Sequence, residues 1–506
     1  MPYDVIVIGA GIGGLLSAAK LARNGKKVLV LEKLPHIGGT SFIFRRGGYT
    51  FPMGPLAFSF PQRVKSFLAE AGVTAEIGFR RNHFQLLTPS FDIIYSHPLE
   101  ELKEELKKVF PEEADGIDAF LTEMEKLIEF FKDRDEWHPD YLLGRKREAV
   151  LRDQSRTRRQ LREFVNMYSD LPSTEILDKH FKTAALKSLL GSQGTTPPEM
   201  SLLHLADMWN VMSEVGIWSP SCRIHGLSEL LAEVLITNGG EIRLTSPVEK
   251  ILVDGERVTG VRTARGEIYK SQWVVSNADP KRTFLEFMEP SSVPLNYLEL
   301  IREIPYTRSE LCVYLGLDPA GVDLSKMRAA HLFYRKVVRL EMASDPEDFD
   351  NREVEICFWS ENAPDSVPPG RVSVILRAGF AYDLFEDWRT GERKRKDGYK
   401  EHKLHLAKKL IQTVEGVLPG LASAVEVMEV ATPLTYQDWG QRYRGSVAGW
   451  TWSAELAANL PGKLLVQTPI PNLLMVGIYA ATQLFLGGVP TSMHTANLAA
   501  NLILEN

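Results

Sequence analysis

Cysteine is scarce: Cys222, Cys312 and Cys357 are the only three in 506 residues. They are odd in number and far apart, which excludes a disulfide framework, matches no metal-ligand spacing and points to a reducing compartment. A large excess of either charge is also lacking. The net charge of −6 offers nothing to attract nucleic acid, so none is expected as a partner. No apolar run is long and unbroken enough for a spanning helix. Leu464 to Leu504 holds no Asp, Glu, Lys or Arg, yet Pro469, Pro471, Gly487, Gly488 and Pro490 break it, and Asn472, Thr482 and Gln483 interrupt it further. Internal repeats, low-complexity linkers and any Ser-His-Asp order are likewise missing. The first strand opens at Tyr3, which leaves no room for a signal or transit peptide and makes a cytoplasmic location the expectation. What remains is an ordinary globular composition, 44% hydrophobic and 25% charged, in a chain long enough for two cores.

The informative residues come first. Tyr3 to Ile8 is a short β-branched run that reads as a buried strand. Gly9-Ala10-Gly11-Ile12-Gly13-Gly14 follows directly, then a helical stretch from Leu15 to Asn24, a stop at Gly25, and a second strand at Val28 to Leu31 ending on Glu32. This is a G-x-G-x-x-G inside a βαβ unit with an acid at the expected distance. Gly9 permits the tight turn, Gly11 lets backbone approach a pyrophosphate, and Gly14 lets helix and strand pack closely. The helix N-terminus presents free N–H groups and a positive dipole end to phosphate, and Glu32 can accept from ribose hydroxyls.

A second diglycine loop, His36-Ile37-Gly38-Gly39-Thr40, follows, and then Arg46-Gly47-Gly48-Tyr49 to Gly54. This string resembles the two-dinucleotide-binding-domain flavoproteins, the class of amine oxidases and phytoene desaturases. The resemblance implies an α/β fold: an FAD-binding Rossmann-like domain with an interleaved α+β substrate domain. It implies FAD as cofactor, held around Gly9, Gly11, Gly13, Gly14, Glu32, Lys33, Gly38, Gly39 and Thr40. Many members carry Arg after the diglycine; here Thr40 stands there, and Arg45 or Arg46 is the expected substitute. Further on, Arg223 to Ser228, Gly239 to Leu244, Pro247 to Ile251 and Trp273 to Pro280 resemble the branch of phytoene desaturases, carotenoid isomerases and retinol saturases, as do Thr432 to Thr435 and Gly445 to Trp450. In that pattern Val248 contacts the adenine region through its backbone. The matches divide the chain into a discontinuous FAD-binding domain (1–83, 222–289 and 426–506) and a substrate domain (84–221 and 290–425).

The same resemblance gives the uncharged end a role. A strand at 473–476, a Gly-rich turn and a helix from Thr491 to Leu504 would lie under the flavin ring, with Gly477, Gly488 and Val489 against the cofactor. The helix dipole would then stabilise the negative charge that builds on reduction. One departure is visible: the family has Gly-Asp after the closing strand, and here the pair is Gly477-Ile478. His494 is the one titratable side chain of the segment, a candidate acid or base, with a plain core histidine as the competing reading.

No catalytic residue is set by a motif. The resemblance implies redox or isomerisation of a long hydrophobic isoprenoid or polyene, of carotenoid or retinoid type. An amine oxidase-like enzyme, with Trp450, Trp452 and Tyr479 as an aromatic cage, and a noncatalytic FAD-binding relative are the alternatives. The aromatic residues Trp209, Trp218, Phe380, Tyr382, Phe385, Trp388, Trp439, Trp450 and Trp452, with Met208, would line an apolar channel or else fill the core. Residues 145–162 hold Arg145, Lys146, Arg147, Arg152, Arg156, Arg158, Arg159 and Arg162, either a peripheral contact for anionic lipid or a solvated face.

Overall fold

The structure is a computed structural model that describes residues 2–129, 143–169, 171–192, 200–337, 345–450, 465–481 and 487–506. Thr482, Gln483, Trp452 and Leu464 lie outside the described residues, as do the side chains of Arg158 and Arg162.

A seven-stranded sheet carries the glycine loops. Its parallel part runs Glu241–Arg243, Val28–Leu31, Tyr3–Ile8, Ile268–Ser276, Leu473–Met475. An antiparallel hairpin, Val248–Asp254 and Arg257–Thr263, pairs with the first half of Ile268–Ser276. Helices Ile12–Arg23, Arg223–Thr237 and Gly488–Glu505 pack together beside the sheet. Parallel strands covered on both faces read as continuous apolar runs, and Val5, Ile6, Val7, Val28, Leu29 and Val30 are fully buried. This is the Rossmann-like, FAD-binding type of fold that the sequence predicts.

A second seven-stranded sheet runs Val425–Ala431, Ser309–Leu317, Val372–Phe380, Val354–Phe358, His331–Tyr334, Phe84–Leu87, Asp92–Ile94. The sequence places residues from 426 onward in the nucleotide domain. The structure pairs Cys312 with Ala431 and Val313 with Val430, so 426–431 is edge strand of the second sheet. Side chains alternate across it. Leu311, Val313, Leu315, Val374 and Leu376 pack on one core with Leu406 and Leu410 of helix Tyr399–Val414. Cys312, Tyr314, Cys357 and Ile375 point the other way, toward Tyr49 and Phe51 of the hairpin Ile43–Arg46/Tyr49–Pro52. A third, helical core gathers residues of Leu99–Val109, Ala114–Glu129 and Leu202–Trp209.

The closing helix begins at Gly488, three residues before the predicted start. Pro490 sits in its first turn, where a missing N–H is harmless because those donors have no intrahelical partner.

Candidate functional site

The turn after the first strand is built as the glycines demand. Gly9 adopts φ +94°, a left-handed backbone open to glycine, and its N–H donates to Leu31 O at 2.8 Å. A Cβ on Gly14 would lie 2.1 Å from Gly9 O, so only glycine lets the helix close onto the strand. Gly38 N–H donates to Ala10 O at 2.7 Å, which lays the second diglycine loop on the first. Glu32 ends the second strand inside the protein. Its Oε2 accepts from Ala10 N at 2.7 Å and its Oε1 from Leu34 N at 2.7 Å. Burial raises its pKa, against the opposing pull of those amides.

Gly9, Gly11, Gly13, Glu32, Lys33, Gly38, Gly39, Thr40, Val248, Gly477, Gly488 and Val489 all line one cavity of about 460 Å³. Gly14 is the exception among the predicted residues; it stands behind the cavity, between helix and strand. Both the N-terminus of helix Ile12–Arg23 and that of Gly488–Glu505 open into this space through Gly11, Gly13, Gly488 and Val489.

Two expectations need correction, and two residue sets that the sequence left between site and core are placed. Arg45 and Arg46 are exposed, and Arg46 pairs with Glu429 at 2.7 Å. The guanidinium beside Thr40 is that of Arg442, whose Nη2 donates to Thr40 Oγ1 at 3.1 Å, and Arg282 lines the cavity too. His494 is not among the lining residues; its ring lies 6.0 Å from that of Phe67, in the core. Among the described residues the aromatic side chains are divided between the cores and the cavity. Trp209 belongs to the helical core, and Phe380 and Phe385 to the core under the second sheet, while Trp439 and Trp450 reach the cavity. Finally, the uncharged terminal segment does not make an uncharged pocket, because Glu310, Glu355 and Arg377 of the second sheet line the same cavity with Tyr436.

Two features escape sequence reasoning. Asn277 follows the strand Ile268–Ser276, and its amide sits where a Cβ on Gly11, Gly13 or Gly477 would meet it at 2.6, 3.0 and 2.5 Å. Asp279, nearly fully buried, accepts from Tyr306 OH at 2.7 Å and Tyr443 N at 3.1 Å; burial raises its pKa. Tyr306, Trp450 and Tyr479 form a closed aromatic group, with Trp450 Nε1 donating to Tyr479 O at 2.9 Å and Ser446 Oγ 2.8 Å from Tyr479 OH. Ile478 holds the place of the family's acid, against Gly449 and Gly488.

This donor set fits a flavin dinucleotide. Backbone N–H groups of two glycine loops and two helix N-termini suit a pyrophosphate and an electron-rich ring edge, Glu32 suits a ribose, and Arg442, Arg282 and Lys33 supply cations. The Ile478 side chain offers no hydrogen bond where the family pattern has an acid. Among the described residues no group of three His, Cys, Asp or Glu could hold a metal ion.

Fold and site together define a flavin-dependent oxidoreductase. The chain belongs to the family of flavin containing amine oxidoreductases, whose model matches residues 12–504. Its similar curated proteins include enzymes named for carotenoid and retinoid reactions. It is 27% identical over 474 residues to a chloroplastic prolycopene isomerase of Daucus carota, covering 88% of this chain and 71% of that one. It is 25% identical over 515 residues to an all-trans-retinol 13,14-reductase of Danio rerio (94% and 82% covered) and 25% over 523 to a lycopene-forming phytoene desaturase of Pseudescherichia vulneris (99% and 99%). Among solved structures, cyclohexylamine oxidase of Brevibacterium oxydans superposes with a TM-score of 0.61 at 16% identity, covering 100% of this chain and 99% of that one.

Proposed function

We propose that the cavity binds FAD and that the chain uses it on a long conjugated isoprenoid of carotenoid or retinoid type, by desaturation, saturation or cis–trans isomerisation. The observation that carries this reading is the convergence of two glycine loops, two helix N-termini and Glu32 on one cavity. The relatives' printed activities supply the substrate class. Bound flavin exchanges a hydride with a carbon centre. The chain's own part is to orient the dinucleotide through Gly11, Gly38 and Glu32 and to hold a positive helix end at Gly488 where negative charge develops. Trp450 and Tyr479, packed on each other, keep water out. Trp450 and Tyr479 meet edge to face, and Trp452, the third residue of the expected cage, lies outside the described residues.

Gly11→Val tests the cofactor assignment, because a Cβ there already meets Asn277 Nδ2 at 2.6 Å. The native chain should purify yellow and release FAD on denaturation, and the variant should be colourless. A variant with a full flavin complement overturns this assignment.

Peripheral membrane contact belongs to the same proposal. Helices Gly144–Arg152 and Arg156–Ser169 expose Arg145, Lys146, Arg147, Arg156 and Arg159, with Leu151 and Met167 49% and 66% exposed among them. No helix of the described residues is long and apolar enough to cross a membrane. Binding to anionic vesicles should fall with salt, since exposed charges are screened beyond about 10 Å at 0.1 M. Equal binding by a variant with Gln at 145, 147, 156 and 159 would reduce these helices to a solvated face.

A further inference from the structure

The second sheet sends a charged group into the cavity that the glycine loops line. Arg377, Glu310 and Glu355 come from three adjacent strands, and Tyr436 from helix Pro433–Gly440. Arg377 Nη2 donates to Gly54 O at 2.7 Å, and the Cys312 thiol lies beside the guanidinium. Its Nε makes no hydrogen bond among the described residues, although it is buried. Two long ion pairs flank it, Glu310 Oε1 3.8 Å from Nε and Glu355 Oε2 3.9 Å from Nη1, both too far for good hydrogen bonds. Each carboxylate also has a nearer partner. Glu310 accepts from Tyr436 OH, and Glu355 lies 3.0 Å from His331 Nδ1.

A buried guanidinium with unused donors is costly unless something accepts from it. The charges of the group decide what that something is. Arg377 and a protonated His331 balance Glu310 and Glu355, so the wall is close to neutral overall. A substrate carboxylate would face two carboxylates, and an ammonium would face Arg377. A neutral oxygen meets neither problem: it accepts from Arg377, and as a hydroxyl it also donates to a carboxylate. A hydrocarbon end would leave the guanidinium N–H groups unpaired in a dry space.

We propose that Arg377, Glu310, Glu355 and Tyr436 form a subsite for a neutral oxygen at one end of the substrate, which makes the substrate an oxygenated isoprenoid and not a bare hydrocarbon. This rests on the polyene reading above and narrows it. A carbonyl edge of the flavin has the same acceptor chemistry, and the experiment separates the two sources.

The flavin-loaded protein is titrated with all-trans-retinol, with the same chain ending in methyl instead of hydroxymethyl (axerophthene), with retinoic acid and with retinylamine, following tryptophan quenching. Retinol should bind at least ~100-fold more tightly than axerophthene, because a site built for a hydroxyl rejects the analogue lacking it, and more tightly than either ion. Arg377→Met and the milder Tyr436→Phe should each narrow the gap between the two ligands, retinol weakening and, for Arg377→Met, the hydrocarbon tightening, with the flavin content unchanged. Equal binding of retinol and axerophthene overturns the subsite and leaves the polyene reading standing. Preference for the acid or the amine overturns its neutrality. If Arg377→Met keeps the preference for retinol and shifts the flavin absorption bands, the acceptor is the cofactor, and the subsite falls. Failure of all four ligands to bind overturns the polyene reading itself and the subsite with it.

Discussion

Arg442 and Thr40 are 402 positions apart in the chain, and Arg442 Nη2 donates to Thr40 Oγ1 at 3.1 Å. The same guanidinium reaches the carbonyls of Ser446 and Val447. A cation thus stands next to the second diglycine loop, but it arrives from a distant part of the chain. Arg442→Met should loosen the flavin roughly tenfold, the scale of one charge-assisted hydrogen bond. Arg45→Met should leave flavin affinity unchanged. Equilibrium dialysis of both variants checks this, and the reverse order of effects would return the role to Arg45.

Gly14 separates packing from binding. Its absent Cβ would sit 2.1 Å from Gly9 O, so Gly14→Ala must push the helix Ile12–Arg23 off the sheet. A cost of about 1–3 kcal/mol is expected from such overpacking. Gly379→Ala is the control, since nothing lies within 4 Å of the added carbon there. Thermal melts of the apo forms should show a clear drop for the first and almost none for the second. Similar melting temperatures would mean the turn relaxes at little cost.

His331 gives the protein a pH signature. Burial works against its charged form, but the Cys357 sulfur and the Glu355 carboxylate outweigh it, and the ring is held up to about 10. The folded chain therefore binds this proton more tightly than the unfolded chain does. The resulting stability is whole below about pH 6.5, the ordinary imidazole value, and is lost as pH rises through the raised one. Melting temperature should fall on the alkaline side, and His331→Gln should flatten that slope while lowering stability near neutrality. An unchanged slope in the variant would place the alkaline sensitivity elsewhere.

Short-range signals carried most of the nucleotide domain into view. Two glycine loops, a terminal acid and an apolar run are local patterns, so Gly9 to Gly14, Glu32, Gly38, Gly39 and the last helix were legible from their neighbours. Asn277 was not, because its importance lies in touching Gly11 and Gly477 across the fold, and no pattern around it encodes that approach. Glu310 and Arg377 sit in strands whose two faces are both largely apolar. A single charge in such a strand reads as a solvent-facing position until the opposite sheet is known to cover it. The start of the closing helix was missed by three residues because proline reads as a boundary, whereas the first turn tolerates it.

The central sheet also has a history in time. Its strand Tyr3–Ile8 lies beside Ile268–Ser276, which in turn pairs with Leu473–Met475, and the first helix packs against the last. As the chain leaves the ribosome, the N-terminal glycine loops emerge long before the strand and helix that complete their surroundings. Contacts of such sequence separation form slowly and leave apolar surface open meanwhile. The cavity therefore lacks part of its wall until Gly477, Gly488 and Val489 have been made, long after Gly9 and Gly11.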